Sequence, residues 1–195
     1  MDVRARETLD RFIQLSNSQN KDNILDIGCG KLIPHTTIMK NTGLTVFTND
    51  FFDNNDYIGK FVDINIDRKF GGIWCCHVLE HQPNINIFLR KIHDVLEDDG
   101  LLAITVPPLK RFVVGGHLTL WNMGLLYYNL IIAGFDCSHA IHSQYGYNIS
   151  IILNKKSIID MPDLYYDNGD IELLSKYFPF PVCQGFDGQN IPNTF

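Results

Sequence analysis

Several shortages in the sequence each remove a class of function. No apolar stretch in its 195 residues is long enough to span a bilayer, and the longest, such as Leu125 to Phe135, are broken by polar or glycine residues. The opening MDVRARETLD carries mixed charge and no apolar core, so no secretory leader is expected and a cytoplasmic location is the default. Basic charge is scarce: 16 Lys and Arg stand against 22 Asp and Glu, a formal net charge of −6. That balance offers no footprint for a phosphate backbone and argues against nucleic acid as a partner. The five cysteines, at 29, 75, 76, 137 and 183, contain no C-x-x-C pair, so neither a disulfide framework nor a zinc knuckle is indicated. Internal repeats and low-complexity segments are also missing. What is present, 45% hydrophobic and 19% charged residues, suits a single domain with a sizeable core.

Along the chain, apolar patterning alternates between the strand and helix periods. Residues 5–16 read as an amphipathic helix flanking the core. NILDIG reads as a first strand ending in glycines, with a helix from Pro34 to about Met39. LTVFTND (44–50) and KFVDIN (60–65) read as second and third strands, too close together for a full crossover helix. GGIWCCHV (71–78) is a strand buried on both faces, Asn86 to Leu96 a helix closed by Asp98-Asp99-Gly100, and LLAITVPP a fifth strand. A helix over 122–134 and two strand-like runs ending near Lys155 follow, then an extension over 156–195 with a short helix near 170–178. The expected fold is α/β: a Rossmann-like doubly wound sheet, mostly parallel, with an antiparallel edge hairpin and helices on both faces.

The loop in ILDIGCGKL carries the most information. Gly28 and Gly30, one residue apart at a strand end, allow a sharp turn and close approach to a ligand. Asp26, two residues earlier, would repel a pyrophosphate but favours a cation. S-adenosylmethionine, with an ammonium, a sulfonium and no phosphate, fits both features.

At this point the chain resembles the class I S-adenosylmethionine-dependent methyltransferases, and more closely the small-domain group called type 11, over roughly residues 20 to 155. The resemblance rests on ILDIGCGKL, on Asp50 closing the second strand, on Asp63-Ile64, and on CCHVLEH followed by DDG and LLAITVPP. It implies that Asp26, Gly28, Cys29 and Gly30 frame the cofactor and that Asp50 holds the ribose hydroxyls, with Phe51 beside it. It also implies that Asp63 and Ile64 read the adenine, that the backbone at Cys76 and His77 lines the cleft, and that S-adenosylhomocysteine is the product. Where the family continues with a third glycine, this chain has Lys31-Leu32.

His77, Glu80 and His81 also spell H-x-x-E-H, an inverted zincin pattern. That chemistry needs one continuous helix, but His77 closes a strand and Gln82-Pro83 interrupts the chain, so no metal is expected. The resemblance instead puts Glu80 and His81 at the floor of the substrate pocket. It also puts His117, in GGHLTLW after the fifth strand, at the substrate site as general base or orienting residue. Candidate catalytic groups are therefore His117, His81 and Glu80. His35 and His93 read as helix-surface positions, and His139 and His142 as solvated or structural. The aromatic tail is read as cover for the sheet edge, with a substrate lid or a homodimer surface as alternatives.

The expected function is methyl transfer to an oxygen, nitrogen or carbon atom of a small molecule by in-line displacement, with no catalytic triad required. One rival is a non-catalytic cofactor-binding module. The other is an NAD-dependent oxidoreductase, disfavoured by Asp26 and by Ile33 at the third fingerprint glycine.

Overall fold

The computed structural model describes residues 3–195. The chain runs α1 (Arg6–Ser18), β1 (Asn23–Ile27), α2 (Pro34–Asn41), β2 (Thr45–Asp50), β3 (Tyr57–Ile58) and β4 (Phe70–Cys76). It continues through α3 (Ile85–Val95), β5 (Leu96–Val106), α4 (Met123–Ile132), β6 (Ile141–Tyr145), β7 (Asn148–Asn154) and α5 (Asp170–Leu173). The strands form one sheet in the order β3-β2-β1-β4-β5-β7-β6. β1 to β5 are parallel, and the β6–β7 hairpin runs antiparallel at the far edge. This is the doubly wound sheet expected from the alternation of strand and helix periods. The strand order reverses between β1 and β4, which opens a crevice at their carboxyl ends.

Period-two alternation sends neighbouring strand residues to opposite faces. Ile24, Val46, Trp74 and Ala103 pack with Leu9, Phe12 and Met39 beneath α1 and α2. Leu25, Ile27, Ile73, Leu102 and Ile104 pack with Phe88, Ile92, Leu126 and Leu130 beneath α3 and α4. A buried hydroxyl chain pins α1 to the sheet: Thr8 Oγ1 donates to Ser150 Oγ at 2.8 Å, and Ser150 Oγ lies 2.9 Å from Thr105 Oγ1. Asn84 and Asn122 cap α3 and α4 by accepting from Ile87 N at 3.1 Å and Leu125 N at 2.7 Å.

Two local expectations are corrected. The third strand is not KFVDIN but Tyr57–Ile58, and residues 60–64 form a turn in which Lys60 O accepts from Asp63 N (2.9 Å) and Ile64 N (3.2 Å). Asn49 Nδ2 donates to both Tyr57 O and Gly59 O, fastening only this short segment to β2. Phe61 then turns inward onto Phe88, with ring centroids 5.2 Å apart. Asp98-Asp99-Gly100 does not close α3 but forms an excursion inside β5, where the register jumps from Phe70 opposite Leu96 to Gly72 opposite Leu101. Asp99 takes the left-handed conformation there, at φ 59°.

The tail covers the edge of the sheet. Thr194 N donates to His142 O at 2.8 Å, His142 N donates to Thr194 Oγ1 at 2.6 Å, and Gln144 N donates to Asn193 Oδ1 at 2.7 Å, so the edge strand β6 is partly satisfied. Leu174 and Phe178 are buried in the α3/α4 core cluster. His142 is structural, its ring between Tyr127 OH (2.8 Å) and Pro192 O (3.1 Å), while His139 is exposed. His35 packs on Trp74, with ring centroids 5.3 Å apart, and His93 reaches Ser157 Oγ at 3.0 Å. Truncation after Lys156 should therefore expose Tyr127 and the β6 edge and give an insoluble product. A soluble fragment with the parent's near-ultraviolet circular dichroism would show that the tail is not cover. No helix among the described residues is long and apolar enough to cross a membrane.

Candidate active site

The crevice at the carboxyl ends of β1, β2 and β4 gathers most of the residues singled out from the sequence. Its two glycines differ in kind. Gly28 has φ 70°, and a Cβ there would lie 2.3 Å from Val78 Cγ2, so this glycine lets the loop after β4 press against the loop after β1. Gly30 has φ 73°, and a Cβ there would meet nothing within 4 Å, so its bare backbone faces open space. Asp50, at the end of β2, joins the two loops by accepting from Gly30 N at 2.8 Å and from its neighbour Phe51 N at 2.6 Å.

Asp26 is buried and does not line the cleft. Its Oδ2 accepts from Thr36 Oγ1 at 2.5 Å, in the first turn of α2, where Ile33 at the N-cap offers no side-chain cap. The acid thus serves as a cap supplied from the preceding strand. Burial pushes its carboxyl up to about 7; the Thr36 hydroxyl and amide pull it down and the Asp50 charge pushes it further up. Cys29 donates its thiol to Asn55 Oδ1 at 2.9 Å and is pushed up to about 12 by burial and by the charges of Asp26 and Asp50. Burial likewise raises the Cys76 thiol, so neither is a thiolate nucleophile at neutral pH.

Two cavities share Phe51, Lys60 and Gln82 as walls. The inner one, about 70 Å³, is bounded by Gly28, Asn49 and Asp50. The outer one, about 440 Å³, is bounded by Asp63, His81, Pro83 and Ile87. Phe51 is 66% exposed, so its ring is free to fold onto a ligand. Ile64 O accepts from Lys91 Nζ, which steadies the Asp63-Ile64 turn. The sequence reading missed Asn49, Lys60 and Gln82. For Asn49 and Gln82 the available signal was the polar residues at the end of β2 and in the turn after β4, in TND and HQPN; Lys60 had none.

Beyond the outer cavity, His77 follows β4 in the left-handed conformation (φ 55°), with its Nε2 3.0 Å from Asn148 Oδ1. Leu79–His81 forms a single 3₁₀ turn, so no continuous helix carries the H-x-x-E-H pattern. Glu80 is fully buried, and its main-chain oxygen accepts from Leu118 N at 2.7 Å, tying this turn to the loop that carries His117. His81 Nδ1 lies 2.7 Å from Gly116 O, and the rings of His81 and His117 are 5.1 Å apart and nearly perpendicular. The structure therefore brings Glu80, His81 and His117 together, with His81 alone of the three lining the outer cavity beside Phe51 and Asp63, while Gly28 and Asp50 line the inner one and Gly30 stands next to it. Asp26 and Cys29 stand behind the loop.

A family model described as a methyltransferase domain matches residues 1–142. No curated protein sequence matches significantly. Among solved structures, the 1,6-didemethyltoxoflavin N1-methyltransferase of Burkholderia thailandensis, determined with 1,6-didemethyltoxoflavin and S-adenosylhomocysteine, superposes with a TM-score of 0.62 at 12% identity. The alignment covers 77% of this chain and 79% of that one. An S-adenosylmethionine-dependent methyltransferase from Clostridium acetobutylicum gives 0.59 at 11% identity over 79% and 93% of the two chains. The N-methyltransferase NodS from Bradyrhizobium japonicum gives 0.57 at 14% identity over 78% and 95%.

Proposed function

The chain belongs to the methyltransferase-domain family, and from that premise we propose that it moves the methyl group of S-adenosylmethionine to an oxygen, nitrogen or carbon nucleophile of a small-molecule acceptor. The observation that carries this reading is the bare Gly30 backbone, open on its Cβ side and held by the Asp50 carboxylate at 2.8 Å beside the inner cavity. A ribose fits such a cradle, with the adenine in the outer cavity beside it. A carboxylate has about four acceptor positions, so Asp50 can hold two backbone amides and still accept from ribose hydroxyls. Asp63 presents a carboxylate to the adenine amine, and Phe51 covers the base.

The cofactor supplies an electrophilic methyl on a sulfonium that is already a good leaving group. The chain's part is to align the acceptor and exclude water. The acceptor lies beyond the adenine, against the turn that carries Glu80 and His81 and on the side of His117. His117, partly exposed across from His81, orients the acceptor hydroxyl or amine.

Calorimetry with S-adenosylhomocysteine tests the reading. Saturable binding is expected, with Asp50→Ala weakening it at least tenfold, about 1.4 kcal/mol. No binding of either S-adenosylmethionine or S-adenosylhomocysteine would sink it. Binding without turnover across a broad acceptor panel would instead favour a non-catalytic module.

A further inference from the structure

The Glu80 side chain is 1% exposed, yet neither of its carboxylate oxygens has a hydrogen-bond partner. Its Oε1 is faced by two imidazole nitrogens, His77 Nδ1 at 3.3 Å and His81 Nε2 at 3.7 Å. For His81 the proton is spoken for: Nδ1 is 2.7 Å from the Gly116 carbonyl, which can only accept, so a neutral ring keeps its lone pair on Nε2. His77 is arranged the same way. Its Nε2 donates to Asn148 Oδ1, whose amide is oriented by Nδ2 donating to Tyr145 O at 3.3 Å. Two neutral rings would thus turn lone pairs towards a buried carboxylate with nothing positive between them. Leaving a buried charge uncompensated is among the costliest arrangements a fold can hold.

His117 completes the picture. Among the described residues, Glu80, His81 and His117 alone form a group whose potential ligand atoms all lie within 4.8 Å of one another. Two imidazoles and one carboxylate make a three-ligand set with a fourth position free, the composition that open zinc sites use. The hydrogen bond from His81 to a backbone carbonyl is the usual outer support of a metal-ligating histidine. His117 sits one residue beyond Gly116, in a partly exposed loop, so it can close on an ion at the ordinary distance of about 2.1 Å.

We propose that Glu80, His81 and His117 bind one divalent transition-metal ion of the zinc class where the turn after β4 meets the loop that carries His117. The ion takes the place of the missing positive charge beside Glu80. Its open position would receive an oxygen of the acceptor, a hydroxyl or a carboxylate. The site differs from the H-x-x-E-H reading because its third ligand is His117 rather than His77, and no helix is needed. The role in acceptor binding rests on the methyl-transfer reading, whereas the binding of the ion does not.

The test uses the full chain, stripped with a chelator and titrated with zinc chloride by calorimetry and by competition against a chromophoric chelator. One zinc per chain is expected. His117→Ala, a change in a partly exposed loop, should weaken binding at least tenfold with the circular dichroism unchanged. Glu80→Gln should do the same where it folds, and His139→Ala and Cys183→Ser should have no effect. The proposal is overturned if zinc does not saturate, if His117→Ala binds like the parent, or if binding disappears with Cys183. S-adenosylhomocysteine affinity measured on the same samples separates the two readings. Its absence would remove the methyl-transfer reading and leave the zinc stoichiometry standing.

Discussion

Replacing Asp26 with asparagine will flatten the pH dependence of folding between about pH 4 and pH 7. In the folded chain burial raises this carboxyl to about 7, from an ordinary 3.8. Across that interval the folded state holds a proton that the unfolded state has released. Stability therefore falls as pH rises, by about 1.4 kcal/mol per pH unit, and levels off above about 7. The whole effect is on the order of 4 kcal/mol. Asparagine still accepts from Thr36 but does not titrate, so the variant gains on the parent by that amount between pH 4 and pH 8. Urea denaturation of both proteins at four pH values measures it. Parallel profiles would show that Asp26 titrates in the folded chain as it does in the unfolded one.

The same residue shows where the sequence could be read and where it could not. β1, β2, β4 and β5 were legible because their apolar runs are punctuated by Gly, Asp and Pro at the ends. The carboxylate near the glycines was legible as well, but its direction was not weighed. Ile24 and Asp26 share one face of β1 and Leu25 and Ile27 the other, so the acid points under α2, towards Thr36. The error at 60–65 has a different origin. Phe61, Val62 and Ile64 satisfy a strand pattern as well as they satisfy a turn that buries Phe61 against Phe88, and periodicity cannot separate the two over so few residues. The meeting of Glu80, His81 and His117 lay further out of reach. It depends on the 3₁₀ turn at Leu79–His81 and on Leu118 N bonding back to Glu80 O, long-range geometry with no local signature.

Alanine at Gly28 and alanine at Gly30 should fail for different reasons, although the sequence writes the two glycines as one motif. At Gly28 the new Cβ collides with Val78 at 2.3 Å in a left-handed backbone. Val78 has little room to yield, because it stands between the left-handed His77 and the turn that carries Glu80 and His81. Overpacking and backbone strain together should cost about 2 to 5 kcal/mol. For a domain of this size that lowers the melting temperature by on the order of 10 °C. At Gly30 the methyl enters open space, so the cost to folding is only the backbone strain, about 1 to 2 kcal/mol. The same methyl occupies the surface where the cofactor would lie, so S-adenosylhomocysteine affinity should fall at least tenfold while most of the stability remains. Thermal melts paired with calorimetry distinguish the two positions. If Gly30→Ala bound like the parent, the first glycine loop would be a packing device like Gly28, and the cofactor cradle would have to be sought elsewhere along the crevice.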